Sequence, residues 1–146
     1  MKQVLLTIYC LTLLQCKPVT SETPKSAVEL QEELQTLEQR NPTQYLTIEN
    51  GTVEPNIVRR ERLFREAKTD GYIVKGVIKN TATLAQFKDV VITIQSYSKT
   101  QTLIDESHFV IYELINPKSS KIFSSKVELP SAQEYRVLIT DAKAVY

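Results

Sequence analysis

The ten residues GYIVKGVIKN, numbers 71–80, decide the fold of this chain. Their side chains follow a period of two residues, which indicates a β-strand because successive side chains of a strand point to opposite faces. One face is predicted to meet the core, and it consists of Tyr72, Val74, Gly76 and Ile78. The other face carries two lysines and is predicted to point outward, so this stretch is expected to be the central strand of a small sheet.

Gly76 interrupts this strand at its middle. A glycine inside a strand loses side-chain packing and costs backbone entropy, so it indicates that another group approaches the backbone closely. We therefore expect a large neighbouring side chain, or a bulge, beside Gly76. A turn is predicted to begin at Asn80.

The segments that follow repeat the strand pattern. Val90, Ile92 and Ile94 alternate within residues 90–97 and are predicted to face the same core. Further strands are predicted at residues 102–104, 108–114, 122–127 and 135–140, with an interruption at 105–107. Turns spaced about 10 to 20 residues apart, without helical periods between them, are typical of an antiparallel sandwich. The fold class is therefore predicted to be all-β, with the sandwich over residues 44–146.

The segment before the central strand is harder to assign. The Asn50-Gly51 pair predicts a hairpin or turn, and residues 69–71 predict a second turn. Residues 55–68 are predicted to be an extended edge strand, since charge on an edge deters pairing with other chains; one short helix is the alternative. The only concentrated charge of the sequence lies in this segment and consists of Arg59, Arg60, Arg62 and Arg65. These arginines are either a solvated face or a docking patch for phosphate or an acidic partner.

Several of these positions together resemble a known family. They are Val74-x-Gly76-x-Ile78-x-Asn80, Phe87-x-x-Val90-x-Ile92-x-Ile94-x-x-Tyr97, Leu114-x-x-Pro117 and Phe123. Over residues 46–142 the chain resembles the immunoglobulin-like FxLYD type of domain, which bacterial envelope proteins carry. The resemblance implies an immunoglobulin-like β-sandwich and an envelope location, and it implies no catalytic residue. Ser98 and Lys118 depart from the family, which has Asp and Gly at these positions.

The first sixteen residues have the organisation of an export signal. Lys2 supplies a positive charge, and residues 4–14 are apolar over about eleven positions, whereas a membrane-spanning helix needs about 20. The segment ends in Leu13-Leu14-Gln15-Cys16, which resembles a bacterial lipobox except that Gln15 replaces a small residue. Residues 1–16 are predicted to be a signal peptide that ends at Cys16, the lipidated residue. A plain signal peptide and an uncleaved short anchor are the alternatives.

A tether and a helix connect this segment to the sandwich. Residues 17–25 are polar, contain two prolines and are predicted to be a flexible linker. Ser26 and Glu29 form the S-x-x-E pattern of a capping box, which predicts a helix over residues 26–40 that ends before Pro42. An apolar stripe is predicted along one face of this helix, at Leu30, Leu34 and Leu37, with glutamates, Glu38 among them, on the other faces.

Composition and motifs argue against most chemical functions. The 146 residues carry a net charge of +1, which does not indicate nucleic-acid binding. Both cysteines, Cys10 and Cys16, lie in the signal segment, so the body has no thiol for a disulfide, a metal or catalysis. The single histidine, His108, lies near Asp105 and Glu106, but Asp105 would point to the opposite face of a strand. There is no phosphate-binding glycine loop and no serine-nucleophile motif.

These observations predict a non-enzymatic protein of the bacterial cell envelope, lipid-anchored through Cys16 and facing the periplasm or the cell surface. We expect a protein partner, and no cofactor, metal, nucleic acid or small-molecule substrate. The alternative is a periplasmic module that binds a metal, a glycan or a lipid on a platform of exposed tyrosines. The candidates for that platform are Tyr45, Tyr97, Tyr112 and Tyr135.

Overall fold

The structure, a computed structural model, describes residues 25–59 and 68–146. Most of the predicted tether and the whole predicted signal segment therefore lie outside the described residues. Within the described ranges, one α-helix, one 3₁₀ turn and six strands follow one another: α1 (Ala27–Arg40), the 3₁₀ turn (Pro42–Gln44), β1 (Leu46–Arg59), β2 (Lys68–Asn80), β3 (Gln86–Tyr97), β4 (Leu103–Ile111), β5 (Ser120–Val127) and β6 (Glu134–Val145).

The described strands form two antiparallel three-stranded sheets that pack as a β-sandwich. One sheet has the order β1-β2-β5 and the other has the order β4-β3-β6. Residues 71–80 lie in β2, at the centre of the first sheet, so the central-strand prediction is confirmed. β3 is the central strand of the second sheet, and the other four described strands are all edge strands.

The sandwich has two distinct ends. At the helix end, Leu46 pairs with Asn80, and Phe87 bridges to Ile115, so α1 and the loops after β2 and β4 gather there. At the hairpin end, Arg59 of β1 pairs with Lys68 of β2. The turns after β3 and β5 lie at the hairpin end too.

The core lies between the two central strands. Val74, Ile78, Val90, Ile92 and Ile94 are fully buried, as their alternation predicts. Such complete burial of branched side chains stabilises the fold by about 1.5–3 kcal/mol for each residue.

The glycine of β2 accommodates an aromatic ring. A Cβ atom placed on Gly76 would lie 2.8 Å from the Cε1 atom of Phe123, which belongs to the neighbouring strand β5. The expected large neighbour is therefore confirmed: the ring of Phe123 packs directly over the backbone of β2.

Asn80, the last residue of β2, is a buried polar anchor at the helix end. Its side-chain amide donates to the carbonyl oxygens of Ala85 and Ile115 at 3.0 and 3.1 Å, and its oxygen accepts from the Ala82 amide. These bonds join the loop after β2 to the loop after β4.

Two predicted turns are wrong because the strands continue through them. Asn50 and Gly51 lie inside β1, where the register shifts between Glu49 and Thr52. Asn50 has a φ of 53°, so the pair that indicates a hairpin turn forms a β-bulge here. Gly71, with a φ of 71°, likewise lies inside β2, which pairs with β1 as far as Arg59 and Lys68.

The predicted interruption at residues 105–107 is also wrong. β4 is continuous, because Asp105 and Glu106 pair in register with Ser96 and Gln95 of β3. Their polar groups find partners along the sheet: the Gln95 amide donates to Glu106 at 2.9 Å. β6 is longer than predicted and extends to Val145.

The predicted edge strand is confirmed for the part that the structure describes. Residues 55–59 belong to β1, which has no partner beyond β2 within the described residues, and most of them are exposed. The remainder of the segment, residues 60–67, lies outside the described residues.

Candidate interaction surface

The four edge strands border two seams, at which an edge of one sheet lies beside an edge of the other. The β1–β6 seam is a groove of about 320 Å³ between residues 46–48 of β1 and 137–139 of β6. The β4–β5 seam is a groove of about 290 Å³ between residues 109–113 and 123–125. An unpaired strand edge exposes backbone N–H and C=O groups and can accept another strand, so both seams are candidate binding surfaces.

The β4–β5 seam is already bridged by side chains of this chain. The rings of Phe109 and Phe123 meet across it, with centroids 6.1 Å apart. Lys121 of β5 forms an ion pair with Glu113, just after β4. These contacts place aromatic rings and charges in the space that a docking segment would need.

The β1–β6 seam, by contrast, is apolar, and its two sides meet at Gly51 of β1, where a Cβ atom would lie 3.1 Å from Ile48 and 3.7 Å from Val137. Its lining contains no charged residue: Leu46, Thr47, Ile48, Val137, Leu138 and Ile139. Within the part of the chain that the structure describes, no ion pair, ring contact or side-chain hydrogen bond crosses between these two groups of residues. Ile48, Val137 and Ile139 are only half-buried, although they pack against the core. This seam is therefore the better candidate for binding.

The helix closes one end of this surface. Tyr146, next to the end of β6, donates a hydrogen bond from its hydroxyl group to the Gln35 carbonyl oxygen of α1 at 2.5 Å. The 3₁₀ turn and the last residues of β6 lie in contact. The free part of the β6 edge is thus limited to its middle and to its first residues.

The helix begins as predicted. The Ser26 side chain accepts from the Glu29 amide at 3.3 Å, and the Glu29 carboxylate accepts from the Ser26 amide at 2.8 Å. The capping box is therefore present, and α1 ends at Arg40.

The face that α1 turns to the sandwich includes only Leu34 of the predicted apolar stripe, and Leu34 is half-buried. Glu38, predicted to be outside, is completely buried, while Leu30 and Leu37 remain 53% and 46% exposed. The Glu38 carboxylate accepts from the backbone N–H groups of Thr83, Leu84 and Ala85, at 2.7, 3.1 and 2.7 Å. Buried amide groups require acceptors, and the loop after β2 obtains them from the helix.

Sequence reasoning missed Glu38 because a single glutamate on a charged helix carries no distinguishing local signal. The loop residues that bind it, numbers 83–85, are small or uncharged and also lack a motif. Only the three-dimensional meeting of the two segments reveals the contact.

The predicted arginine patch is only partly described. Arg59 lies at the end of β1, opposite Lys68, at the hairpin end. Arg60, Arg62 and Arg65 lie outside the described residues, and so does Cys16, the predicted lipidation site. Their roles therefore stay predictions.

The four tyrosines proposed as a platform do not share a surface. Tyr112 is 77% exposed, whereas Tyr45, Tyr97 and Tyr135 are half-buried. Tyr45 lies at the helix end beside the 3₁₀ turn, while Tyr97 and Tyr135 lie at the hairpin end. Tyr135 packs its ring against Tyr72, with centroids 5.4 Å apart. The arrangement offers no aromatic platform to a ligand.

Packing and surface ion pairs account for the side chains whose pKa values are shifted. The Lys126 ammonium hydrogen-bonds to Asp70 and lowers the pKa of its carboxyl group, and Lys75 lowers the pKa of Glu54 in the same way. Both carboxylates lie at the surface, where water screens the pair, and such pairs contribute little to stability. Burial, followed by the neighbouring Tyr72, raises the pKa of Tyr135 to about 12. None of these groups lies in the β1–β6 seam.

Within residues 25–59 and 68–146, no three His, Cys, Asp or Glu side chains gather as a metal site. His108 pairs with Thr93 on the outer face of its sheet, and Asp105 points inward, where the Ser107 hydroxyl donates to it at 2.9 Å. In the same described ranges, no helix is long and apolar enough to cross a membrane.

Comparison with known proteins adds no identification. No protein-family model, no characterised protein sequence and no solved structure matches this chain. The class defined by the fold is an all-β sandwich with one docked helix, and the FxLYD resemblance stays a prediction.

Proposed function

We propose that this chain is a non-enzymatic, lipid-anchored protein of the bacterial cell envelope, and that its sandwich is a protein-interaction or assembly module. The observation that carries the interaction function is the β1–β6 seam. It combines an unpaired strand edge with half-buried apolar side chains, and such a combination binds other polypeptide segments.

The anchor is supported by the sequence before the helix. The apolar segment 4–14 followed by Cys16 is typical of an exported protein that is lipidated at its new N-terminus. Several acyl chains on one residue hold a protein stably on a bilayer, whereas a single chain gives only marginal binding. Residues 17–25 would then reach at most about 30 Å, at roughly 3.3–3.6 Å per residue.

Two apolar features besides the seam are available to a protein partner. Val28, Leu30 and Leu37 of α1 are exposed, although α1 is docked. Ile57 and Val58, near the end of β1, are 53% and 62% exposed, beyond the last pair that β2 forms with β5. These residues add contact area at both ends of the domain.

Metabolic labelling tests the anchor. Cells that express the chain are fed an alkyne analogue of palmitate, and incorporation is compared among wild type, Cys16→Ala and the matched control Cys10→Ala. We expect label on the wild type and on Cys10→Ala, and none on Cys16→Ala. Absence of label from the wild type, or label that survives in Cys16→Ala, would overturn the lipid anchor.

A further inference from the structure

We infer that the loop between β2 and β3, residues 81–85, is a carboxylate-binding site, and that helix α1 is a removable strap whose Glu38 side chain fills this site as a built-in ligand. When the strap leaves, the site binds a carboxylate group of another molecule. This role goes beyond the proposed interaction function, and neither part of it depends on the β1–β6 seam or on the lipid anchor.

Three consecutive backbone amides of the loop converge on the Glu38 carboxylate. Oε1 accepts from the Thr83 amide at 2.7 Å, and Oε2 accepts from the Ala85 amide at 2.7 Å. The Leu84 amide lies between them, 3.4 Å from Oε1 and 3.1 Å from Oε2. Successive backbone N–H groups that point to one place form a concave anion-binding nest. The two oxygens of one carboxylate engage all three donors of this nest.

The surroundings of the nest select a carboxylate among anions. Residues 81–85 carry no charged side chain, and within the described residues no ion pair joins Glu38 to a lysine or an arginine. The nest therefore offers N–H dipoles and no full positive charge. A phosphate dianion in this buried place would keep a charge without compensation, which is costly. A singly charged group with two oxygens fits better.

The loop is held in shape by contacts that do not involve α1. The Asn80 side-chain amide donates to the Ala85 carbonyl oxygen at 3.0 Å, and its oxygen accepts from the Ala82 amide at 2.9 Å. The amide and the hydroxyl group of Thr81 both donate to the Tyr45 carbonyl oxygen, at 2.8 and 3.0 Å. The nest therefore keeps its geometry when the helix leaves.

The helix, by contrast, is held mainly by this one polar contact. Glu38 is the only buried residue of α1, Leu34 and Gln35 are half-buried, and the remaining residues of α1 are exposed. Tyr146 adds a hydrogen bond from its hydroxyl group to the Gln35 carbonyl oxygen. An element that buries so little apolar surface opens locally at a lower free energy than the core. We therefore expect α1 to leave the loop while the two sheets stay folded.

Glu38 occupies the nest first because it belongs to the same chain. A tethered ligand meets its site at a high effective concentration, which a free carboxylate must exceed in order to displace it. Glu38→Ala abolishes this competition and exposes the affinity of the nest itself. The atoms that this substitution removes, the Cγ atom and the carboxyl group, together have the size and shape of acetate.

Chemical rescue tests the carboxylate site. The melting temperature of the purified full-length Glu38→Ala chain is measured in detergent near neutral pH at rising acetate concentrations, with sodium chloride keeping the ionic strength constant. We expect a saturating rise, of about 4–8 °C at ten times the dissociation constant of acetate. Acetamide, which has the same shape but no charge and only one acceptor oxygen, should give a much smaller rise. If Glu38→Ala is unfolded without acetate, circular dichroism follows its acetate-dependent folding instead.

Wild type and Glu32→Ala are the matched controls. In both chains Glu38 fills the nest, so acetate has no vacant site and should leave each melting temperature within about 1 °C of its value in chloride. These controls separate binding at the nest from a general effect of acetate on protein stability.

Hydrogen exchange of the wild type tests the removable strap. The amides of residues 83–85 are expected to exchange at least about tenfold faster than those of Ile92 and Ile94 in the core of β3. Their exchange should also depend only weakly on urea, because release of α1 exposes little surface.

An acetate effect on Glu38→Ala that is no larger than the effect of acetamide, or that is equal in Glu32→Ala, would refute the carboxylate site. Amides of residues 83–85 that exchange only as slowly as those of the core would refute the strap. Neither measurement involves Cys16 or the β1–β6 seam. Failure here therefore leaves the labelling result intact, and a failed labelling experiment leaves these results intact.

Discussion

Replacing Glu38 with alanine is expected to release helix α1 from the sandwich. The carboxylate is completely buried and accepts hydrogen bonds from three consecutive backbone amides, those of Thr83, Leu84 and Ala85. Alanine removes the acceptors and leaves the three N–H groups facing the helix. The hydroxyl of Tyr146 contributes a single hydrogen bond to α1, at the Gln35 carbonyl oxygen, so the carboxylate is the main polar link that the described residues provide.

The contacts set the size of the effect. A buried amide that loses its partner costs about 1–3 kcal/mol. Ala85 is buried and incurs this cost in full, whereas Thr83 and Leu84 are more exposed and can bind water instead. The total is therefore about 3 kcal/mol. For a domain of this size, each kcal/mol lowers the melting temperature by about 3–6 °C, so the expected decrease is on the order of 10–15 °C.

Thermal and urea unfolding followed by circular dichroism measure this decrease. Glu32→Ala is the matched control, because Glu32 is an exposed glutamate on the same helix. We expect the control to remain within about 0.5 kcal/mol of wild type. Hydrogen exchange should show faster exchange of the amides of residues 83–85 in Glu38→Ala alone. A Glu38→Ala chain that melts like the control, with those amides still protected, would refute the assigned role of the carboxylate.

Two further predictions concern packing and titration. Gly76→Ala is expected to destabilise the fold by about 1–3 kcal/mol, because the new methyl group would overlap the Phe123 ring. In a double-mutant cycle measured by urea unfolding, adding Phe123→Leu should restore part of this loss. Additive effects of the two substitutions would contradict the contact. The pKa of Tyr135, about 12, lies above its unfolded value of about 10, so its stabilising contribution is complete below pH 10 and is lost as the pH rises through 12. Ultraviolet titration of tyrosinate should therefore show a late-ionising group that Tyr135→Phe lacks; identical titrations of the two chains would contradict the shift.

The two central strands could be predicted because alternation is a local property of the sequence. Val74 and Ile78 in β2, and Ile92 and Ile94 in β3, are buried as their spacing indicates. Even the close approach at Gly76 could be predicted, since a glycine in the middle of an apolar strand weakens the strand unless a neighbour fills the space.

Other elements carried local signals that the tertiary structure overrode. Asn50-Gly51 has the composition of a hairpin turn, yet pairing with β2 on both sides of it extends β1 and converts the pair into a bulge. The acidic residues 105–107 lack strand propensity, yet β3 provides a register and hydrogen-bonding partners for them. In each case the deciding interaction comes from a strand that is distant in sequence, so a local pattern cannot reveal it.

The candidate site was hidden for a related reason. Val137 and Ile139 look like ordinary core residues of the last strand, and their alternation gives no indication of which strands lie beside them. Only the sheet order shows that β6 is an edge and that β1, from the other sheet, forms the opposite wall. Whether an apolar strand is central or open is a property of topology, and topology depends on all the strands together.

The β1–β6 seam runs parallel to the strands, from the helix end toward the hairpin end. The lining of the seam holds no charge, so a charged group placed there would lose its hydration without a partner, whereas an apolar group would not.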